Sequence, residues 1–512
     1  MKLIQPFLAS LMLLGLVFAC QPLEDLDKVE AASFDAEYAV PIASAQLSLR
    51  DVLESFEDLN TVFVDEDGLI HFRYQGDLIT QNSEAVFDGI NAKLNNTPIP
   101  ILSKKMPIVL GDDTGLEFDH LIFKDGKLNL AAQNRHPDEV TFTMTLPQIT
   151  KDGEPLTETF DMMAFDGDGF PTPYVKQFDL EGYEAIPDPI TDSLYIEYEL
   201  IRSNGEPDTV DFALLTFQDL SFSYMEGYMG IESHKGKDTI VIDFFDNYVK
   251  GDIYFADPTV TFFVENAFGI PTRSQVNIFE VFTVKDEVLN LEGEYITNGI
   301  DFPYPTLDRV GDKDYGEFIF DKNNSNIDTI LGAGPIAIHY DVDAITNPDS
   351  NTMIRGFLTD SSFYKVKVEV DLPLYGNSFD FIARDTFDLS FDNFGDVKDA
   401  EFKLVAENEL PLDVLIQGYM MNDKGEVTDS LFTDRQLIVA SAIVDGLGYS
   451  VAPTEQVTFI DFPEDRFEKI RNTKQLEIVA SFFTTNEGQQ SVYILESQNV
   501  NVRIGAKLGV SR

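Results

Sequence analysis

Residues 365–372 have the sequence KVKVEVDL, in which charged and aliphatic side chains alternate without a break. Successive side chains of a β-strand point to opposite faces of the sheet, so this strand would have one aliphatic and one charged face. One buried and one wetted face is typical of antiparallel sheets. Residues 141–146 and 499–504 alternate in the same way, and turn signals such as Asp67-Gly68 and Asp152-Gly153 separate such runs. The sequence therefore predicts an all-β fold of antiparallel β-sandwiches.

A second pattern recurs three times: an apolar strand, a Glu or Gln, an Asn, a short turn, a Pro and another alternating strand. The repeated residues are Asn134 with Pro137, Asn266 with Pro271, and Asn408 with Pro411. The Asn positions lie 132 and 142 residues apart, a spacing that suits whole domains in tandem rather than the units of a solenoid. An Asn can hydrogen-bond to backbone at a strand end, and a Pro suits the entry to a strand. We interpret the motif as structural, with a ligand site at these turns as the alternative.

Residues 266–271 and 408–412 resemble the strand-turn-strand motif of the late-embryogenesis-abundant, water-stress-hypersensitivity type of β-sandwich. That family begins the motif with Asn-Pro, whereas Ala267 and Glu409 follow the Asn in this chain. The resemblance is confined to the motif. It implies a small fibronectin-like sandwich and carries over no catalytic residue.

The N-terminus has the composition of a signal peptide over residues 1–19, with an apolar run at 7–18. This run is shorter than the roughly 20 apolar residues that a membrane-spanning helix needs. Residues 17–20 resemble the lipobox of bacterial lipoproteins, although Phe18 is larger than the residue usual there. The resemblance implies a diacylglycerol and palmitate anchor on Cys20. An ordinary signal peptide that ends near a Cys is the alternative.

Residues 20–33 would then be the lipidated Cys and its tether. Residues 21–25 resemble the signal that sends Bacteroidota lipoproteins to the outer face of the outer membrane, although the acids lie further from the Cys. The whole chain also resembles large multidomain surface lipoproteins of Bacteroidota. These resemblances imply a lipid-anchored outer-membrane protein that faces the cell exterior, with the periplasmic face as the alternative.

Composition excludes several classes of protein. Cys20 is the only Cys in 512 residues, so the folded part can have no disulfide, thiol nucleophile or CxxC metal site. The 89 acidic and 36 basic residues give a net charge of −53, which repels nucleic-acid phosphates. A hydrophobic content of 44% is too high for a disordered acidic chain. We expect a folded, acidic protein without a nucleic-acid partner.

The length suggests about three domains. We assign residues 34–160 to the first β-domain, 161–300 to the second, and 301–512 to the third, which includes the C-terminal strands. Residues 48–59 have a capping box and helical apolar spacing, which predicts a short helix in the first domain. Residues 461–471 are a second short helical candidate.

The sequence contains no recognisable catalytic constellation. Its histidines lack paired spacing, and HExxH, GxSxG and GxxxxGK[ST] motifs are absent. We therefore expect no enzyme activity and no cofactor. Acidic turns at residues 65–68, 112–113 and 166–169 offer oxygen atoms to Ca²⁺, but none has the distal Glu of an EF-hand, and Asp-Gly turns need no metal. Bound calcium remains an alternative.

These observations favour a structural or interaction subunit of an envelope complex, such as one for outer-membrane protein assembly, export or uptake. Its partners would be the outer membrane, through the lipid, and envelope proteins. The alternative is a surface lipoprotein that binds glycans or other nutrients. A hydrolase is the third hypothesis and would need a cleft with convergent carboxylates.

Overall fold

The computed structural model describes residues 36–48, 62–84, 86–88, 96–108, 117–191, 193–242, 248–389 and 397–510. The predicted signal peptide, Cys20, the tether, residues 112–113 and all but the first residue of the predicted helix over 48–59 lie outside these ranges. None of the helices in the described ranges is long and apolar enough to cross a membrane.

Antiparallel strands dominate the described residues, which confirms the predicted all-β fold. The strands are β1 (Ala36–Ser48), β2 (Val62–Val64), β3 (Ile70–Asn82), β4 (Pro98–Pro100), β5 (Lys105–Ile108), β6 (Glu117–Gln133), β7 (Val140–Lys151), β8 (Glu154–Met162), β9 (Pro173–Asp179), β10 (Glu184–Ala185), β11 (Leu194–Arg202), β12 (Pro207–Asp208), β13 (Phe212–Tyr228), β14 (Ser233–Val241), β15 (Tyr248–Phe255), β16 (Thr259–Asn266), β17 (Thr272–Thr283), β18 (Val288–Asn290), β19 (Ile300–Asp301), β20 (Asp314–Phe320), β21 (Pro335–Thr346), β22 (Gly356–Thr359), β23 (Phe363–Pro373), β24 (Tyr375–Asp388), β25 (Val397–Asn408), β26 (Leu412–Met421), β27 (Val427–Ser430), β28 (Gln436–Val439), β29 (Ile443–Val444), β30 (Ser450–Ala452), β31 (Thr454–Phe462), β32 (Gln475–Thr484), β33 (Val492–Tyr493) and β34 (Asn499–Val510). Helices within the described ranges include α1 (Glu294–Asn298), α2 (Ile327–Gly332) and α3 (Glu464–Ile470), and a 3-10 turn covers Leu307–Arg309.

The first group of strands forms one sheet in the order β12-β11-β7-β10-β6-β13-β22. In addition, β4 pairs with β13, β5 with β11, β8 with β7, and β9 with β6. Its core comes from the long strands. In β7, Phe142, Met144 and Leu146 are fully buried, as the alternation over 141–146 predicts. β22 reaches this sheet from far along the chain and pairs with the end of β13.

The second group forms two sheets, β2-β3-β23-β16-β20 and β14-β21-β17-β18, with β19 beside β17. The KVKVEVDL stretch lies in β23, at the centre of the first sheet, and its four aliphatic side chains are at most 3% exposed. The alternation predicted from the sequence is therefore confirmed. β14 lies close against β3, because a Cβ at Gly236 would stand 2.4 Å from the carbonyl oxygen of Leu78.

The third group, which we call the third sandwich, has two sheets, β1-β34-β25-β31 and β15-β24-β32-β26-β27. In the second of these sheets, β28 also pairs with β26, and β33 pairs with β24. The C-terminal strand β34 pairs with β1 on one side and with β25 on the other. On the inner face of β31, the hydroxyl of Thr458 donates to the carbonyl oxygen of Leu437 on β28 at 3.2 Å. This bond joins the two sheets near one edge.

Strands from distant parts of the chain meet in these sheets. The sheet β2-β3-β23-β16-β20 takes strands from all three of the segments that the sequence analysis assigned to separate domains. The boundaries drawn at 160/161 and 300/301 stay a prediction. α3 lies within the second helical candidate at 461–471.

Candidate interaction surface

Each repeated Asn lies at the end of a strand and is almost completely buried: Asn134 follows β6, Asn266 ends β16 and Asn408 ends β25. In every copy the side-chain Oδ1 accepts a hydrogen bond from the backbone N–H two residues further on. The distances are 2.8, 2.9 and 2.8 Å in chain order. The Asn side chain therefore closes the turn that leaves each strand.

The amide nitrogen of each Asn holds a distant connection against the strand end. Nδ2 donates to the carbonyl oxygen of Met163 at 3.0 Å in the first copy, of Pro303 at 3.0 Å in the second, and of Ala440 at 2.8 Å in the third. These acceptors follow their Asn by 29, 37 and 32 residues. Both ends of each amide thus make bonds inside the protein, so these side chains fasten the fold.

The repeated prolines occupy related positions at strand entries. Pro137 is exposed in the bend before β7, Pro271 stands directly before β17, and Pro411 is buried directly before β26. Pro has no backbone N–H to donate. Just before the first residue of a strand, it therefore removes no hydrogen bond between that strand and its neighbour.

The histidines at the two ends of β6 have separate partners. His136 Nε2 lies 3.1 Å from the carbonyl oxygen of Thr209, and Arg202 Nη2 lies 3.3 Å from His136 Nδ1. His120 Nε2 lies 3.0 Å from Glu184 Oε2 near the other end of the strand. The fold keeps these two histidines apart, so they share no site.

Two of the acidic turns use their carboxylates to stabilise the turn itself. Asp65 Oδ1 accepts hydrogen bonds from the backbone N–H groups of Asp67 at 3.0 Å and Leu69 at 2.8 Å. Asp166 Oδ1 accepts from the N–H of Asp168 at 3.0 Å. Within the described ranges, no three His, Cys, Asp or Glu side chains come together in an arrangement that could hold a metal ion.

An ionic cluster lies on the outer face of β3 and β23. His71 Nδ1 is 2.6 Å from Asp371 Oδ1, and its Nε2 is 3.4 Å from Asp65 Oδ2. Arg73 Nε donates to Asp371 at 3.0 Å, while its guanidinium lies 3.6 Å from the ring centroid of Phe63. Burial disfavours the charged imidazole, but hydrogen bonds to the two carboxylates and their charges outweigh it and raise the pKa of His71. The cluster joins two strands whose sequence positions are 300 residues apart.

Residues 443–459 expose several large apolar side chains. We call this set the 443–459 surface and define it by Ile443, Leu447, Val451, Val457 and Phe459. It covers the hairpin β29–β30 and the outer face of β31, and its side chains are between 39% and 74% exposed. Apolar side chains exposed in this way on a folded chain are typical of interaction sites.

Aromatic stacking fixes the hairpin to the rest of the sandwich. The ring of Tyr449 stacks on Tyr493 with centroids 4.2 Å apart, and Tyr493 stacks on Tyr375 at 4.0 Å. The backbone N–H of Tyr493 also donates to the carbonyl oxygen of Gly448 at 3.0 Å. Burial among these rings raises the pKa of Tyr493. The hairpin therefore presents Leu447 on a fixed support, which reduces the entropy lost on binding.

The sequence analysis missed this surface, although residues 457–460 carry a signal for it. A strand that is buried on one face needs apolar side chains only at every second position. In β31, Ile460 and Phe462 point into the core, whereas Val457 and Phe459 point into solvent. Apolar residues on both faces indicate that a second surface is to be covered.

No protein-family model and no curated protein matches this chain. Among solved structures, a protein of Parabacteroides distasonis that carries the description of a secreted protein aligns over 92% of this chain and 99% of its own, with 10% identity and a TM-score of 0.28. A structure of infectious bursal disease virus, Gx strain, aligns over 94% of this chain and 82% of its own, with 9% identity and a TM-score of 0.15. A chain of an archaeal virus with a triple jelly roll fold aligns over 85% and 95%, with 10% identity and a TM-score of 0.12. Alignments with such low TM-scores carry no argument about this protein.

Proposed function

We propose that this protein is a structural or interaction subunit of a cell-envelope complex for outer-membrane protein assembly, export or uptake. A lipid on Cys20 anchors it in the outer membrane, facing the cell exterior, and it acts by contact rather than by catalysis. The observation that carries the proposal is the 443–459 surface, whose apolar side chains stand exposed on a hairpin held by stacked tyrosines.

The charge of the chain supports a specific partner rather than non-specific association. A net charge of −53 keeps copies of the protein apart in solution. Against this background, an exposed apolar hairpin lowers solubility unless another protein covers it. Rigid apolar anchors of this kind supply most of the binding energy at protein interfaces.

The position of the first strand supports contact near the membrane. Ala36, the first residue of β1, follows Cys20 by 16 positions. Fully extended, this segment spans at most about 55 Å. A lipid on Cys20 would therefore hold the third sandwich within this distance of the bilayer, where membrane-embedded partners are accessible to its hairpin.

Co-purification from detergent-solubilised membranes tests the proposal. We expect the wild-type chain to recover a fixed set of envelope proteins. Leu447→Ser combined with Val451→Thr should reduce their recovery by about tenfold, because it removes the apolar anchors. Met353→Ser is the matched control, because Met353 is an even more exposed apolar side chain outside the 443–459 surface, and it should leave recovery unchanged.

Two outcomes contradict the proposal. Recovery of the chain without any partner contradicts the role as a subunit, and equal recovery with the double variant contradicts the assignment of the surface. The anchor is tested separately with Cys20→Ala, which should abolish palmitate incorporation and release the chain from the membrane fraction. Retention in that fraction would contradict the lipid anchor.

A further inference from the structure

We propose that β31 is a docking edge, to which an extended basic segment of a partner protein adds as a further strand. This inference rests on the proposed role as an interaction subunit and specifies the chemistry of the partner. β31 is the last strand of its sheet: it pairs with β25 on one side, and no strand of the described residues pairs with its other side. The backbone carbonyl of Asp461 already accepts from Arg466 Nη1 at 2.6 Å, and that of Val457 accepts from Gln456 Nε2 at 3.4 Å. The other backbone N–H and C=O groups along the free side can pair with another chain.

β31 lacks several of the features that usually protect an edge strand, although it carries two charged side chains, Glu455 and Asp461. Such strands are often very short, interrupted by a bulge, or carry Lys or Pro. β31 has nine residues, TEQVTFIDF, with no Lys, Arg or Pro among them. Its register with β25 continues without a shift along the whole strand. A regular strand of this length spans about 30 Å, which is enough for a complete peptide strand.

The outer face of β31 has an apolar centre between two acidic ends. Val457 and Phe459 point into solvent at the centre, while Glu455 and Asp461 point the same way at the ends. Each of these four residues lies two positions after the previous one, so their side chains form one row along the same face of the strand. An added strand would extend this row with side chains of its own.

The neighbouring strand reinforces the charge at both ends. Glu407 on β25 stands opposite Glu455, and Glu401 stands opposite Asp461. Like charges directly opposite each other on adjacent strands are unfavourable, so each end attracts a cation. β34 brings one cation beside each pair, and Arg503 Nη2 lies 3.2 Å from Glu455. A third cation, Lys403 on β25, stands opposite Phe459 with its ammonium 5.9 Å from the ring centroid. The face therefore keeps a net negative charge, with the carboxylates at its two ends and Lys403 beside its centre.

These positions define the partner's sequence pattern. A cation belongs opposite each acidic end of β31, and an apolar side chain belongs opposite each of its two central residues. Because alternate residues of a strand share a face, the pattern is basic-x-apolar-x-apolar-x-basic. It extends over about 20 Å.

A second copy of the chain is the other candidate occupant, and charge argues against it. Two β31 strands paired antiparallel about Thr458 would place Glu455 of each copy opposite Asp461 of the other. The two copies would also each carry a net charge of −53. Both the local pairs and the overall field oppose such a dimer. A basic segment encounters neither obstacle.

The test uses the purified chain and the synthetic peptide Lys-Thr-Val-Thr-Ile-Thr-Lys with blocked ends. Fluorescence anisotropy should show that it binds about tenfold more tightly than the matched peptide with Glu in place of both Lys. Hydrogen exchange should show new protection over residues 454–462. A version with N-methylated backbone should not bind, because strand addition needs its N–H groups.

Variants of the protein locate the site. Val457→Lys and Phe459→Lys should each abolish binding, since each removes an apolar contact from the centre of the strand and adds a second cation to that of Lys403. Ile319→Lys is the matched control, because Ile319 is exposed on β20, an edge strand of another sheet, and this variant should bind normally.

Equal affinity for the Lys and Glu peptides, or binding without protection of residues 454–462, overturns the docking edge. A dimer in sedimentation that Phe459→Lys disperses also overturns it, in favour of a second copy. The peptide assay contains neither membrane nor partner. If the peptide fails to bind while the envelope complex still co-purifies, the docking edge is wrong and the proposed function stands.

Discussion

Replacing Asn408 with Ala should destabilise the third sandwich by about 2–4 kcal/mol. Asn408 is completely buried; its Oδ1 accepts from the N–H of Leu410 at 2.8 Å, and its Nδ2 donates to the carbonyl of Ala440 at 2.8 Å. Truncation leaves that buried N–H without an acceptor, which costs about 1–3 kcal/mol. The lost bond to Ala440 and the small cavity add roughly another 1 kcal/mol.

The assay combines urea unfolding with hydrogen exchange, because a chain with several sandwiches need not unfold in one step. In Asn408→Ala, backbone amide exchange should become faster at Leu410 and around Ala440. It should remain unchanged in the first group of strands. Asn422→Ala is the control: its Oδ1 also accepts two backbone N–H groups, from Lys424 at 2.9 Å and Glu426 at 3.0 Å, but in an exposed turn. Water can replace these bonds, so we expect a loss below about 1 kcal/mol.

The comparison can refute the reasoning directly. If Asn408→Ala and Asn422→Ala shift the unfolding midpoint equally, then the buried amide does not fasten the connection at Ala440. Asn408→Asp adds a second check, because it keeps the size and the acceptor but replaces the amide donor with a carboxylate that faces carbonyl oxygens. It should be at least as destabilising as Asn408→Ala.

Three further outcomes follow from local geometry. Because the pKa of His71 is raised in the folded state, protonated His71 stabilises the fold fully below the unfolded-state pKa of about 6.5. This stabilisation is lost as the pH rises through the folded-state pKa, so the urea midpoint should fall with pH in this range, and His71→Gln should remove that dependence. Gly376→Ala should destabilise the chain, because its Cβ would stand 1.9 Å from the carbonyl oxygen of Tyr254, whereas Gly446→Ala, with nothing within 4 Å, should leave the melting temperature unchanged. Calcium should not raise the melting temperature, because Asp65 already accepts two backbone N–H groups; a rise that Asp65→Asn abolishes would contradict this.

Alternation identified strands from the sequence because it reports which face of each strand is buried. Residues 365–372 and 141–146 lie in β23 and β7 with the expected faces in the core. Alternation does not report which strand lies beside which. β23 pairs with β3 through contacts such as that of His71 with Asp371, and no local pattern links residues 300 positions apart.

The candidate surface escaped prediction for a related reason. Phe459 and Phe462 belong to the same strand, yet the first is exposed and the second is in the core. Whether a strand lies at an edge, and which of its faces meets another sheet, depends on the rest of the fold. The motif asparagines were easier to find, because their hydrogen bonds begin with backbone only two residues away. The predictions for Cys20 and the helix over 48–59 fall outside the described residues and stay predictions.

The place of β34 dictates when the third sandwich can be completed during synthesis. β34 is made after both β1 and β25, yet it lies between them, and its residue Asn499 pairs with Ser48 at the end of β1. Until β34 has been synthesised, β1 has no partner among the described strands of this sheet, and one edge of β25 stays open. Unpaired strands of this kind aggregate readily. Folding of the third sandwich should therefore depend on a chaperone that shields β1 and β25 until β34 is available.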